Sequence, residues 1–146
     1  MNLIRNVLLL FPVLYLYIKL FVFCKIKAKK KLENEFGELL TFINRKFPDY
    51  NKRLVFFSLY SRIFCEWFSV LCDKKLTGNE KQAAFYFGLC NPLYDDMMDE
   101  MQYSYEELDK LKLNKTPNQD NIFEVIGIKI YNTLITYLPD KELFNQ

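Results

Sequence analysis

Apolar residues recur at helical intervals through almost all of this chain, and that period constrains the fold more than any other feature. In "KLENEFGELLTFINRKF", residues 31–47, Leu32, Phe36, Leu39, Leu40, Ile43 and Phe47 recur at helical spacing, and Pro48 with Asp49 stops the run. "KRLVFFSLYSRIFCEWFSVLCDKK", residues 52–75, is apolar on most sides, as expected of a central helix in a bundle. Thr77 and Glu80 form a T-x-x-E capping box that opens "GNEKQAAFYFGLC". Asn91-Pro92 is expected to break or kink that helix ahead of "LYDDMMDEM". Ser104 and Glu107 make a second capping box, starting a short helix through Leu113. "NKTPNQDN" reads as a loop. "IFEVIGIKIYNTLITYL" is β-branched but too long for a strand, so it reads as a helix ended by Pro139. With no strand-turn-strand pattern and no internal repeat, the expected fold class is all-α, a helical bundle.

Composition removes several functions. The chain has 146 residues, enough for about one domain with a sizeable core. It contains no histidine, which excludes Ser-His-Asp and Cys-His catalysis within the chain and any zinc site built on imidazole. A metal here would need oxygen ligands, which points to magnesium, calcium or manganese. The four glycines, Gly37, Gly78, Gly88 and Gly127, do not have the spacing of a phosphate-cradling loop or a dinucleotide fingerprint. The four cysteines, Cys24, Cys65, Cys72 and Cys90, form no C-x-x-C pair and read as small buried hydrophobes in a reducing compartment.

Net charge is only +2, but it is unevenly spread. Residues 1–31 carry Arg5, Lys19, Lys25, Lys27, Lys29, Lys30 and Lys31 and no acid, which sets them apart from residues 32–146. "VLLLFPVLYLYIKLFVFC", residues 7–24, would be about 27 Å long as a helix, close to the thickness of a bilayer core. The lysines follow this apolar stretch instead of preceding it, so it is not a cleavable signal peptide. It reads as a buried first helix, a surface-associated helix whose lysines meet anionic headgroups, or a span. A single lysine run beside an apolar helix does not suit nucleic acid, so no nucleic-acid partner is expected.

Residues 91–109 hold Asp95, Asp96, Asp99, Glu100, Glu106, Glu107 and Asp109 and no base. In "YDDMMDE", Asp95 and Asp99 lie roughly 40° apart on a helix, with Asp96 on the same side. Three carboxylates can then point into one cavity, the arrangement that a hard divalent cation takes. The plainer reading is an acidic surface turn. There Asn91 caps a new helix, and Asp95 and Asp96 sit near its positive end, each worth about 0.3–1 kcal/mol.

"DDMMD" is a DDxxD box, and "FYFGLCNPLYDDMMDE" resembles the first aspartate-rich motif of class I isoprenoid synthases, nearest to the squalene/phytoene synthase branch. The resemblance covers roughly residues 50–110. It implies an α-helical bundle that binds a prenyl diphosphate through magnesium, or manganese in its place. It implies that Asp95 and Asp99 hold the metal, that Asp96 supports the cluster, and that Glu100 is the acid following the box. Arg53 and Arg62 read either as clamps on diphosphate oxygens or as solvated helix surface, and Phe85, Phe87 and Tyr94 as candidates to line the substrate pocket. Other aromatics that could shield a carbocation are Phe56, Phe57, Tyr60, Phe64, Trp67 and Tyr86, with core packing the alternative use for most of them.

The family's second metal motif has no counterpart here, since Pro139 takes Asp140 off the face shared by Asn132 and Thr136. "LPDKELFNQ" begins one more helix that stops at Gln146. The expected protein is therefore the N-terminal part of an isoprenoid synthase, poorly active alone, cytoplasmic or peripheral at the inner membrane face. The alternative is a non-catalytic, membrane-associated helical protein with an acidic surface turn.

Overall fold

The computed structural model describes the backbone of residues 2–114 and 116–138. It describes the side chains of Ile18, Val22, residues 24–111 and residues 116–138. The expected short helix after Pro139, Asp140 and most side chains of residues 1–23 lie outside the described residues. Five helices follow one another: α1 (Asn2–Lys46), α2 (Tyr50–Leu71), α3 (Gly78–Asp99), α4 (Tyr105–Asn114) and α5 (Ile122–Thr136). No strand occurs among the described residues, so the fold is an all-α bundle.

The helix boundaries follow the sequence punctuation. α1 ends at Lys46, just before Pro48, and Asp49 turns the chain with a left-handed φ of 67°. Leu71 ends α2, and a short link in which Asp73 also has positive φ leads to Thr77. The Thr77 hydroxyl accepts from the Glu80 N–H at 3.3 Å while Glu80 accepts from the Thr77 N–H at 2.6 Å, completing the first capping box. Ser104 and Glu107 complete the second in the same way, at 3.2 and 2.8 Å. These reciprocal bonds satisfy N–H groups that a helix start otherwise leaves bare.

The core is one cluster. α1 contributes Ala28, Leu32, Phe36, Leu40 and Ile43, a stripe at intervals of four and three residues. Leu54, Val55 and Leu59 of α2 join it, with Phe85, Tyr86, Leu89, Leu93 and Met97 of α3 and Phe123, Ile126, Ile130 and Leu134 of α5. α2 and α3 cross closely at Gly88. A Cβ there would run into the Phe57 carbonyl oxygen and stand 2.7 Å from the Ser58 Cα. Only glycine lets the two backbones approach this far.

Two expectations are corrected. α3 does not stop at Asn91-Pro92 but passes through the proline to Asp99. A proline inside a helix costs about 3 kcal/mol. Leu89, Leu93 and Met97, on either side of it, are each fully buried and contribute about 1.5–3 kcal/mol apiece, so tertiary packing outweighs the break. α2, read as a helix covered on most sides, is covered on one face only. It packs against α1 and α3, leaving Phe56, Tyr60, Phe64, Trp67 and Phe68 about half exposed.

The 45 residues of α1 would extend about 67 Å, twice the roughly 33 Å of α2 or α3. The change at residues 31–32, where the basic segment ends, falls inside this helix without a break. Among its described side chains the first buried one is Ala28, whereas Ile18, Val22 and Ile26 are 52%, 54% and 66% exposed.

Candidate functional site

The DDxxD box occupies the last turn and a half of α3. That position reverses the electrostatics of the acidic-turn reading. Asp95, Asp96 and Asp99 sit at the negative end of the helix, which has no basic residue in its last turn. Met97 fixes the rotation of this turn because its side chain is fully buried, in contact range of α5 at Gly127. With Met97 inward, the carboxylates differ in burial. Asp96 turns toward α2, with its side chain only 14% exposed. Asp95 keeps its side chain 65% exposed, and Asp99 and Glu100 are exposed.

Relief for this cluster comes from a helix more than forty residues earlier in the sequence. Arg53 Nη1 donates to Asp96 Oδ1 at 2.5 Å and to Oδ2 at 2.8 Å, and Arg53 Nη2 reaches Asp95 Oδ2 at 3.5 Å. The Tyr50 hydroxyl donates to Asp96 Oδ2 at 2.6 Å and also lies 3.2 Å from the Pro92 carbonyl oxygen. Charge-assisted bonds of this kind are about twice as strong as neutral ones. Burial pushes the Tyr50 hydroxyl well above the ordinary phenol range, and its bond to Asp96 pushes it further in the same direction. The Arg53 guanidinium thus stands beside Asp95 and Asp96, where a bound cation would otherwise balance them. No group of three or more His, Cys, Asp or Glu side chains converges to hold a metal ion among the described residues.

The remaining candidate residues lie in two other places. Arg62 and Phe85 meet at the far end of the α2–α3 pair. Arg62 is nine residues from Arg53 on α2, and Phe85 is eleven from Asp96 on α3, separations of roughly 14 and 16 Å along the helices. Arg62 and Phe85 line a pocket of about 290 Å³ with Cys24, Lys27, Ala28, Lys31, Leu59 and Gln82. Tyr94 is largely buried beside the core, and that burial raises its hydroxyl pKa. Phe87 is 48% exposed on the outer side of α3.

The candidate aromatic residues are spread over the core and the open face of α2. Phe85 and Tyr86 are core residues and Phe57 is half-buried. Phe56, Tyr60 and Phe64 stack in sequence along the open face of α2, with centroids 6.2 and 5.8 Å apart, and Phe68 continues the row at 4.7 Å. Among the described residues α2 is the one helix long and apolar enough to cross a membrane, with a mean hydropathy of 1.4 in its best window. Its close crossing with α3 at Gly88 marks it as part of the bundle.

Several interacting residues had no sequence motif to announce them. Tyr50 carries no motif, and Lys27 and Lys31 are submerged in the lysine run. Their spacing of four places both on one helix face, the only sequence signal that could have singled them out. Buried Glu124 is another: it accepts from the Asn118 N–H at 2.7 Å, from Asn121 Nδ2 at 3.3 Å and from the Tyr103 hydroxyl. It ties the loop before α5 to the link between α3 and α4.

These features define a class, an all-α bundle on a long first helix. Comparison with protein-family models, with curated proteins and with solved structures finds no match for the chain.

Proposed function

We propose that the chain is a non-catalytic, membrane-associated helical protein, held to the bilayer by the N-terminal part of α1. The observation that carries this reading is the helix itself. α1 continues without a break from the apolar segment into the bundle, and before Ala28 its described Ile18, Val22 and Ile26 are more than half exposed, Cys24 alone packing partly against the core. Residues 2–24 would extend about 34 Å as a helix, against a hydrocarbon core of about 30 Å. Lys25, Lys27, Lys29, Lys30 and Lys31 then follow at headgroup level, each worth about 1 kcal/mol beside an anionic leaflet. The excess of lysine puts the bundle on the cytoplasmic side. The open aromatic face of α2 adds apolar area of the kind found near membrane interfaces.

The test is flotation of the full chain with vesicles of mixed phosphatidylcholine and phosphatidylserine. The chain is expected to float, and to remain with the membrane at alkaline carbonate pH if the segment is inserted. A variant lacking residues 2–24 is expected to stay at the bottom of the gradient. Equal flotation of the two chains would overturn the proposal.

A second reading, magnesium-dependent ionisation of a prenyl diphosphate, is favoured by one observation. Asp95, Asp99 and Glu100 all keep exposed carboxylates at one helix end, beside Asp96. It predicts magnesium-dependent pyrophosphate release from farnesyl diphosphate that is lost in Asp95→Ala. Because this reading expects the chain to be poorly active alone, the deciding measurement is thermal: a Tm that magnesium leaves unchanged removes it.

A further inference from the structure

The pocket formed by α1, α2 and α3 has the composition of an anion site. Its polar lining is Lys27, Lys31, Arg62 and Gln82, and its apolar lining is Cys24, Ala28, Leu59 and Phe85. Two carboxylates face this group, and both are shared. Glu35 lies 3.9 Å from Lys31 Nζ and also accepts from the Tyr86 hydroxyl at 2.6 Å. Glu66 pairs with Arg62 at 3.3 Å and reaches Lys81 at 4.0 Å. Lys27 makes no ion pair among the described residues. The pocket therefore keeps more positive than negative charge.

Lys31 shows the consequence. Its Nζ donates to Gln82 Oε1 and lies 4.8 and 4.5 Å from the ring centroids of Phe85 and Tyr86. Burial lowers its pKa, Glu35 partly restores it, and Arg62 lowers it again. A bound anion between Lys31 and Arg62 would remove that mutual repulsion. The planar guanidinium of Arg62 offers the two parallel donors that match phosphate oxygens, and the lysines add point charge.

The position of the pocket narrows the ligand. On α1, Cys24 closes the apolar segment, and Lys27, Ala28 and Lys31 directly follow it. An anion held there by a lipid headgroup could keep its acyl chains on the apolar side of the same helix. We propose that Lys27, Lys31 and Arg62 bind the phosphate of an anionic phospholipid headgroup, with Cys24, Leu59 and Phe85 against its glycerol and first methylenes. In assigning the phosphate to a lipid, this inference rests on the membrane reading above. The volume of about 290 Å³ suits a headgroup and the start of its chains, not a whole lipid.

The experiment uses the full chain in neutral detergent micelles and measures retention of phosphatidic acid and of phosphatidylserine by native mass spectrometry. The unaltered chain is expected to prefer phosphatidic acid, whose monoester phosphate presents more free oxygens. Arg62→Gln is expected to weaken its retention by about tenfold or more. Arg62→Lys, which keeps the charge and loses the fork, is expected to fall between them. Lys27→Gln, on an exposed side chain, gives a variant whose folding is not at issue, and it should also weaken retention. Circular dichroism melts confirm that each variant is folded.

Equal retention of phosphatidic acid by folded Arg62→Gln, Lys27→Gln and the unaltered chain overturns the pocket assignment. Inorganic phosphate that displaces the lipid at the lipid's own concentration overturns the lipid source and leaves free phosphate as the ligand. Failure of the unaltered chain to float with vesicles overturns the membrane reading instead. If selective retention in micelles persists alongside that failure, the anion site stands without it.

Discussion

Removing the Arg53 guanidinium should expose how much of the α2–α3 contact depends on neutralising the acidic end of α3. Arg53→Met keeps an apolar stem against Tyr50 and Phe57, whose ring centroids lie 5.9 Å from the guanidinium carbon, and removes only the charge and the donors. Two unit charges about 4 Å apart attract by roughly 4 kcal/mol at an effective dielectric of about 20. That gross figure must be cut. The Arg53 side chain is 38% exposed and screened by water, and burying the Asp96 carboxylate at 14% exposure has its own desolvation cost. A net coupling of about 1–2 kcal/mol remains.

The single variant should lose more than the coupling, about 2–3 kcal/mol, because Asp96 is then left beside Asp95 at a negative helix end with Tyr50 as its donor. A loss of about 2 kcal/mol corresponds to a fall of roughly 6–10 °C in Tm for a chain of this size. The assay is a double-mutant cycle of Arg53→Met, Asp96→Asn and the pair, by thermal melts of the full chain in neutral detergent. Asp96→Asn keeps the shape and an acceptor for the Tyr50 hydroxyl, so the pair should be more stable than the sum of the two losses implies. A coupling of about 0.3 kcal/mol or less would refute the reasoning, since that is the level at which independent sites add.

Gly88→Ala should destabilise by about 1–3 kcal/mol or more, because its Cβ meets backbone atoms that cannot rotate away. Gly37→Ala, with nothing within 4 Å, should stabilise by about 0.4–1 kcal/mol, and denaturant melts of the pair check both signs. Tyr50, Tyr86 and Tyr94 have hydroxyl pKa values raised above the ordinary range, chiefly by burial. Their unfolded counterparts ionise near pH ~10, so the stability that these groups confer is full below that pH and is lost as pH rises above it. The slope approaches about 4 kcal/mol per pH unit for three groups well above pH ~10; Lys31, whose lowered pKa works in the opposite direction, acts only below the ordinary lysine pKa. Melts between about pH 9 and 12, followed by the absorbance of the ten tyrosines, should show part of the tyrosinate signal appearing only with unfolding; complete ionisation before unfolding would contradict this. Glu124→Ala should cost about 1–3 kcal/mol by leaving the Asn118 N–H and the Tyr103 hydroxyl without their acceptor. Hydrogen exchange should speed up at residues 116–121 first.

Local chemistry was legible in the sequence, and it came through where the responsible atoms are near one another along the chain. The capping boxes at Thr77 and Ser104, the stop at Pro48 and the buried stripe of α1 all depend on residues within one or two turns. The same local signals misjudged Pro92, because its penalty is outweighed by the burial of Leu89, Leu93 and Met97 against other helices. Nor could the apolar content of α2 say which of its faces would be covered. Leu54 and Phe56 look alike in composition, and only the placement of α1 and α3 buries the first and leaves the second open.

The carboxylates of "YDDMMDE" mark the same limit. Residue spacing alone establishes that this stretch is acidic, helical and without a base of its own, and that a lysine run follows the apolar N-terminal segment. Only the tertiary structure decided that Asp96 faces Arg53 and Tyr50, and that Lys27 and Lys31 share a pocket with Arg62. The reason is that helical periodicity sets the face on which a side chain lies, whereas the charge that meets it comes from whichever helix packs alongside.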